Sequence, residues 1–282
     1  MSWLKVAIGQ NIIKKQHMGK LGKRYKYLRV FSRHPSHKIL RDSIEVPTHS
    51  VVRFGSTTLS KAPVQINSVT AIQNCTDKRR MKQLFIENNV ETPEIIEIIP
   101  QLEYDFSRPL VAKRSFRSRG KGMKLLTSRE EYTDFYQKFI DNNAYNLENP
   151  YYLEIYYNYT REYRIHVSEL GGYFYTNRKL LKDDVKDRWY RNSKNCVWIL
   201  EENPSFNKPD TWDDIVENCQ TAREAIGLDI CGADVRVNKK GDFKILELNS
   251  ACSFGETIIK ETFVYKQYFD ELQKILNVRH NV

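Results

Sequence analysis

Apolar and polar positions alternate in short runs along the first part of the chain. Ser50 to Phe54 and Val64 to Asn67 read as strands, separated by Gly55, Ser56 and Pro63. Asp77 is placed to cap a helix reaching about Asn88, ahead of Thr92-Pro93. Leu110 to Lys113 predicts a strand, Gly120 and Gly122 a loop, and Met123 to Leu126 a returning strand. Ser128 followed by Glu131 has the form of a capping box and opens a helix to about Asn142. Tyr151 to Tyr157 is an aromatic, strand-prone run, and Glu162 to Val167 and Tyr173 to Leu180 are strands about the Gly171-Gly172 turn. Thr211 to Ile226 predicts a helix that Gly227 stops. Ala233 to Val237 and Phe243 to Leu248 are strands joined through Asn238 to Asp242, a hairpin signal, and Thr257 to Leu276 is a last helix. The pattern predicts an α+β protein with much antiparallel sheet.

Composition narrows the class. The chain has 282 residues, 40% hydrophobic and 28% charged, ordinary for a globular protein with room for two or three lobes. No apolar run reaches about 18 residues, so no membrane-spanning helix is expected. Met1 to Lys15 lacks the continuous apolar region of a signal peptide, and a cytoplasmic location is expected. Cys75, Cys196, Cys219, Cys231 and Cys252 are odd in number and none form C-x-x-C, which argues against a disulfide framework or zinc ribbon and for buried thiols. His34 and His37 flank Pro35-Ser36 in a basic loop without further clustered ligands. The net charge of +10 is concentrated. One cluster is Lys14, Lys15, Lys20, Lys23, Arg24, Lys26, Arg29 and Arg33; another is Lys113, Arg114, Arg117, Arg119, Lys121 and Lys124. Such clusters attract polyanions, whether nucleic acid, nucleotides or acidic polypeptides, and a solvated basic surface accounts equally for the first.

Three segments carry candidate chemistry. Residues two apart on a strand share a face, so Glu247 and Asn249 point one way and Leu246 and Leu248 the other. Asp234 and Arg236 likewise share a face, and the turn length sets Asp234 nearly opposite Glu247. Two facing carboxylates repel, and a hard divalent cation held through oxygen relieves the conflict; a solvated polar hairpin face is the plain alternative. The loop Ser115 to Met123 follows Lys113 at a strand end, and its glycines suit close approach of backbone N–H groups to phosphate, although it lacks the G-K-[ST] of a P-loop. Glu154 and Glu162 each lie inside a strand-like run.

The order of these pieces is specific: a lysine strand, a small glycine loop, an acidic linker strand, Glu162-Tyr-Arg164, Asp234-x-Arg236 and Glu247-x-Asn249. It resembles the ATP-grasp superfamily, in particular its amino-acid and peptide ligases, including ribosomal-protein glutamate ligases and phage-encoded proteins. Gly227 to Asp234, Ile245 to Ser250, Arg191-Asn192, and Asn67 to Pro93 with Lys78 carry the likeness, which spans about Asn67 to Thr257. Cys196 departs from it, standing where relatives often have glycine.

The resemblance implies an ATP-grasp fold: two α+β subdomains clasping ATP behind a short N-terminal lobe. Residues 1–75 would form that lobe, 76–153 the small subdomain with its lid, and 154–282 the central subdomain. It further implies that Lys78 helps bind nucleotide and Lys113 contacts the α- and β-phosphates. Ser118, Gly120 and Gly122 would form the lid. Glu154 with Ile155, Tyr156 and Tyr157 would read adenine, and Glu162 the ribose. Arg178 or Lys179 would meet the γ-phosphate, with Arg191 and Asn192 positioning phosphate or substrate. Asp234, Glu247 and Asn249 would hold magnesium, or manganese. The implied activity is a carboxylate–amine ligase working through an acyl phosphate on a small-molecule, peptide or protein substrate, acidic if the basic clusters guide it. The implied location is the cytoplasm, that of the host if phage-encoded. A kinase on the same fold, a nucleotide-binding protein without activity and a basic nucleic-acid-binding module remain alternatives. The last has no recognised motif here and leaves the acidic hairpin unexplained.

Overall fold

The structure, a computed structural model, describes residues 28–32, 37, 39–117, 120–139, 148–192, 194–252 and 258–281, with the backbone alone at 39, 42 and 258–262. In chain order the strands are β1 (Leu28–Ser32), β2 (Ser50–Phe54), β3 (Val64–Ile66), β4 (Ile95–Ile96), β5 (Leu110–Arg114), β6 (Lys124–Leu126), β7 (Tyr151–Ile155), β8 (Arg161–Ser168), β9 (Tyr175–Leu181), β10 (Cys196–Leu200), β11 (Ile230–Val237) and β12 (Phe243–Asn249). The α-helices are α1 (Val69–Thr76), α2 (Lys78–Glu87), α3 (Arg129–Phe139), α4 (Trp212–Ile226) and α5 (Ile258–His280). The chain divides into two compact units, 1–66 with 253–282, and 67–252. This division falls upstream of the boundary drawn at 75 and groups α5 with the N-terminal segment.

In the first unit β1, β2 and β3 form a parallel sheet in that order. All of β2 is buried, including Arg53, whose guanidinium donates to Thr58 O and Gln65 Oε1. A buried cation needs such partners. Helix α5 is tied in by Arg279, which donates to Gln65 O, and by Gln273, which exchanges hydrogen bonds with the Glu45 backbone. Of the first basic cluster only Arg29 falls among the described residues.

The second unit holds two antiparallel sheets, ordered β4-β7-β5-β6 and β10-β9-β8-β11-β12. Its opening helices are set by side-chain caps: Ser68 accepts from Ala71 N, and Asp77 accepts from the amides of Arg79 and Arg80. On the small sheet Leu110, Ala112, Leu153 and Ile155 turn one face to Tyr132 and Phe135 of α3. On the large sheet Tyr163, Ile165, Val167, Ala233, Val235 and Val237 pack against Ile215, Cys219, Ala222 and Ile226 of α4. Alternation then assigns the intervening residues, most of the polar ones, to the opposite faces.

Two local details differ from the sequence pattern. Leu246 does not share the burial of Leu248. A bulge opposite Asp234/Val235 inserts one extra residue into β12, so the buried pair is Ile245 and Leu248. At α3, Glu131 accepts from Thr127 N and Oγ1, while its own amide donates to Ser128 Oγ. All five cysteines are buried, and none is in a disulfide.

Candidate active site

Helix α2 begins at the Asp77 cap, which places Lys78 in its first turn and Lys82 one turn on, along the same side. The Lys78 ammonium pairs with Glu247 of β12. Lys82 is 1% exposed; it donates to Thr92 Oγ1 and lies 3.5 Å from Ile245 O and 3.5 Å from Glu154 Oε2. Register puts Lys113 opposite Tyr152 and Val111 opposite Glu154, so Lys113 and Glu154 share the face away from α3, and they form an ion pair. Burial pushes the Lys78 ammonium down to about 8 and that of Lys82 down to about 7. Burial works the other way on Glu154, but Lys113 and Lys82 outweigh it and hold the carboxyl below its usual range.

The large sheet presents a second charged lattice. Asp234 pairs in register with Arg164 on one side and Glu247 on the other, Arg236 with Glu162, and Gly232 with Asn249. Arg164 grips Asp234 with Nε to Oδ1 at 2.7 Å and Nη2 to Oδ2 at 2.9 Å, the forked geometry that favours arginine. Lys179 lies 3.1 Å from Asp234 Oδ2 and 2.7 Å from Glu162 Oε1, and Arg236 is 3.0 Å from Glu162 Oε2. Asp234 would be raised by burial, yet Arg164 and Lys179 more than offset that and hold it far below the ordinary carboxylate range. Aromatic rings bound the lattice: the Arg164 and Lys179 head groups lie 5.1 and 5.2 Å from the Trp198 ring, and Arg236 stands 3.9 Å from that of Tyr159.

The other residues singled out in the sequence sort clearly. Of the alternatives Arg178 and Lys179, only Lys179 faces this lattice. Arg178 pairs with Tyr163 on the apolar side and donates to Ser205 O and Phe206 O. Arg191 donates to the carbonyls of Lys179 and Thr160 and lies 4.8 Å from the Tyr159 ring. The Asn192 side chain closes a turn by accepting from Lys194 N and Asn195 N. Gly120 and Gly122 both adopt positive φ, 71° and 77°, where a side chain is strained, and a Cβ on Gly120 would stand 3.4 Å from Tyr190. Ser118 lies outside the described residues. The Ile155 and Tyr156 amides donate to Glu94 O and Pro109 O, and the Tyr157 hydroxyl donates to Asp242 O. Glu154 and Glu162 are 2% and 1% exposed, and their carboxylates are turned inward to their cations. The sequence reading missed Lys82 and Trp198, and it noted Arg164 and Arg236 in their motifs without giving either a role. For Lys82 the available signal was its spacing of four from Lys78 on a helix whose other buried residues are Met81, Leu84 and Phe85.

Asp234, Glu247 and Asn249 fit a hard cation by donor chemistry. They offer two carboxylates in register across one hairpin and an amide two residues on. The Asn249 side chain makes no hydrogen bond among the described residues, and its Nδ2 is buried. Among those residues no three His, Cys, Asp or Glu side chains gather, so a cation held here would draw further oxygens from elsewhere.

No protein-family model matches the sequence, and no curated protein matches it. Solved structures do match in fold. D-alanyl-alanine synthetase A from Vibrio cholerae superposes with a TM-score of 0.58 at 13% identity, over 82% of this chain and 77% of that one. Biotin carboxylase from Campylobacter jejuni, complexed with β,γ-ATP, gives 0.57 at 14% identity, over 89% and 67%. The chain has the ATP-grasp fold. L-amino acid ligase from Bacillus licheniformis gives 0.52 at 19% identity, and the match spans about half of that enzyme, 51%, and 74% of this chain. At these identities the likeness is one of ATP-grasp fold.

Proposed function

We propose that the protein is an ATP-dependent carboxylate–amine ligase that works through an acyl phosphate. One observation carries this reading. Six cationic side chains, Lys78, Lys82, Lys113, Arg164, Lys179 and Arg236, are linked to four carboxylates, Glu154, Glu162, Asp234 and Glu247, leaving a formal excess of positive charge on largely desolvated groups. Such an excess attracts a polyanion, and a nucleotide triphosphate is the polyanion that fold neighbours bind, as in D-alanine–D-alanine ligase with ATP.

In this reading Lys78, Lys113 and Lys179 exchange their carboxylate partners for phosphate oxygens. A substrate carboxylate oxygen attacks the γ-phosphorus, ADP leaves, and an acyl phosphate remains. An amine nitrogen then attacks the acyl carbon, phosphate departs, and the amine gives up a proton. Asp234, Glu247 and Asn249 would hold magnesium, or manganese, which when bound neutralises phosphate charge. The Gly120–Gly122 loop covers the phosphates and keeps water from the acyl phosphate, which otherwise hydrolyses. Fixed cations lower the barrier because they are aimed before the charge arrives.

Hydroxylamine tests the reading. With ATP, magnesium and a panel of amino acids, peptides and acidic proteins, it should intercept the acyl phosphate as a hydroxamate. A stable phosphorylated product formed without amide would replace the ligase by a kinase.

A further inference from the structure

Lys82 has no place in the scheme above, yet it is the most deeply buried of the lattice lysines, with a side chain 1% exposed against 4% for Lys179, 13% for Lys113 and 16% for Lys78. Its ammonium touches three separate pieces of the second unit: Thr92 beyond α2, the Ile245 carbonyl of β12, and Glu154 of β7. Lysine carries a large cost when buried, and a packed methionine would serve the same apolar surroundings without it. The charge at this position therefore needs a reason beyond packing.

Glu154 supplies one. Its two carboxylate oxygens are shared between two lysines, Oε1 to Lys113 and Oε2 to Lys82, and its side chain is 3% exposed. The two lysines are not equivalent. Lys113, the more exposed, sits on the strand that leads into the glycine loop; Lys82 is enclosed. An anion arriving at Lys113 has to compete with Glu154 for the ammonium. If Lys113 were Glu154's sole counterion, drawing it away would strand a desolvated carboxylate. With Lys82 in place Glu154 stays neutralised, and Lys113 is released at lower cost.

We infer that Lys82 is a positioning residue that holds the charge of Glu154 while Lys113 transfers to a nucleotide phosphate. The inference rests on the reading of the lattice as an ATP site. It makes Glu154 a buried counterion rather than an adenine contact. It also gives the chain a carboxylate shared by two lysines as a handover device: Lys113 bonds to the carboxylate in the empty site and to phosphate in the filled one. Lys82 bonds to the carboxylate in both.

The test is a double-mutant cycle on full-length protein, read as magnesium-ATP affinity by calorimetry, with urea melts as a check on folding. Lys82→Met should weaken ATP about tenfold or more, the scale on which one buried charge partner counts. Glu154→Gln, which frees Lys113, should bind ATP as tightly as wild type or tighter. In the Glu154→Gln background, adding Lys82→Met should cost nothing further. The double variant leaves no buried unpaired charge, so it remains measurable even if Lys82→Met alone does not fold. A purely structural lysine would weaken binding equally in both backgrounds, and that result overturns the inference. So does a Glu154→Gln variant that loses ATP, which would return Glu154 to the adenine. Wild-type protein that binds no magnesium-ATP would remove the underlying site reading instead; normal wild-type binding with an unaffected Lys82→Met removes only the handover.

Discussion

Glu247 and Leu248 are neighbours in sequence whose removal should have opposite consequences. Leu248 is 2% exposed and belongs to the core beneath α4. Truncation to alanine loses the transfer energy of the deleted atoms and adds a cavity term, together about 2–5 kcal/mol. For a domain of this size each kcal/mol moves the midpoint by about 2–4 °C, so Leu248→Ala should melt about 4–20 °C early. Glu247 is a different case. Its side chain is 29% exposed and pairs with a Lys78 side chain that is 16% exposed. A partly hydrated pair of this kind contributes at most about 1 kcal/mol, so Glu247→Gln, which keeps the shape, should shift the midpoint by only a few degrees. Its loss should instead abolish most magnesium-dependent ATP turnover, because a carboxylate facing Asp234 is gone. The assay is a pair of curves on each variant: thermal melting, and ADP formation against magnesium concentration on whichever substrate the hydroxamate screen identifies. Near-normal turnover at ordinary magnesium in Glu247→Gln would falsify the metal assignment and weaken the ligase reading with it. A melting loss in Glu247→Gln as large as that in Leu248→Ala would show that the two residues do not divide structure from function.

Other consequences are as direct. Lys179→Met should remove ATP turnover while Arg178→Gln retains it and lowers stability instead, since Arg178 donates to the carbonyls of Ser205 and Phe206 on the apolar side; comparable kinetic losses in both would contradict the assignment of faces. His166 is pushed down to about 3 by burial, with Arg164 adding to the effect. Its neutral form is thus the folded one. Stability it confers is complete above its unfolded value of about 6.5 and is lost as pH falls toward 3, at about 1.4 kcal/mol per unit. Between pH 6.5 and 5 the wild type should lose about 2 kcal/mol more in urea melts than His166→Gln, and parallel profiles would refute this. The basic residues from Lys14 to Arg33 should draw an acidic substrate. Reversing several should raise KM without altering ATP binding, most visibly at low salt, where the Debye length is about 10 Å at 0.1 M against about 3 Å at 1 M. A KM indifferent to both salt and charge reversal ends that idea.

The hairpin was legible in the sequence because strand periodicity and a short polar turn together fix which residues face each other. That reasoning brought Asp234 to Glu247 without knowledge of the sheet around them. It failed one step further on, at Leu246, because a bulge is a property of the pair of strands and leaves no composition signal in either. Arg178 and Lys179 show a related limit. Adjacent strand residues lie on opposite faces, and only pairing with β8 decides which face is which. Helix α1 went unread because its β-branched residues and cysteine give it weak intrinsic propensity; it is held by the burial of Ala71, Ile72 and Cys75. Strands β1, β4 and β10 also went unread. Lys82 escaped, and Arg164 was noted without its partner, because pattern reading assigns charge to solvent, whereas here charge is buried against charge.

The bulge in β12 also constrains how this hairpin can change in evolution. Upstream of Leu246 the strand keeps one phase of inward and outward residues; downstream it keeps the other, and Ile245 and Leu248 both reach the core only because the phase shifts between them. A substitution at Leu246 leaves both phases intact. Straightening the bulge with Leu246 retained acts like a reading-frame error in side chains: with Ile245 anchored, Leu248 turns out of the core and Glu247 and Asn249 turn into it, whereas deleting Leu246 together with the bulge restores plain alternation and keeps Leu248 inside. Aligned relatives of this protein should therefore vary freely in the identity of residue 246, and should either keep that residue with its bulge or lack both.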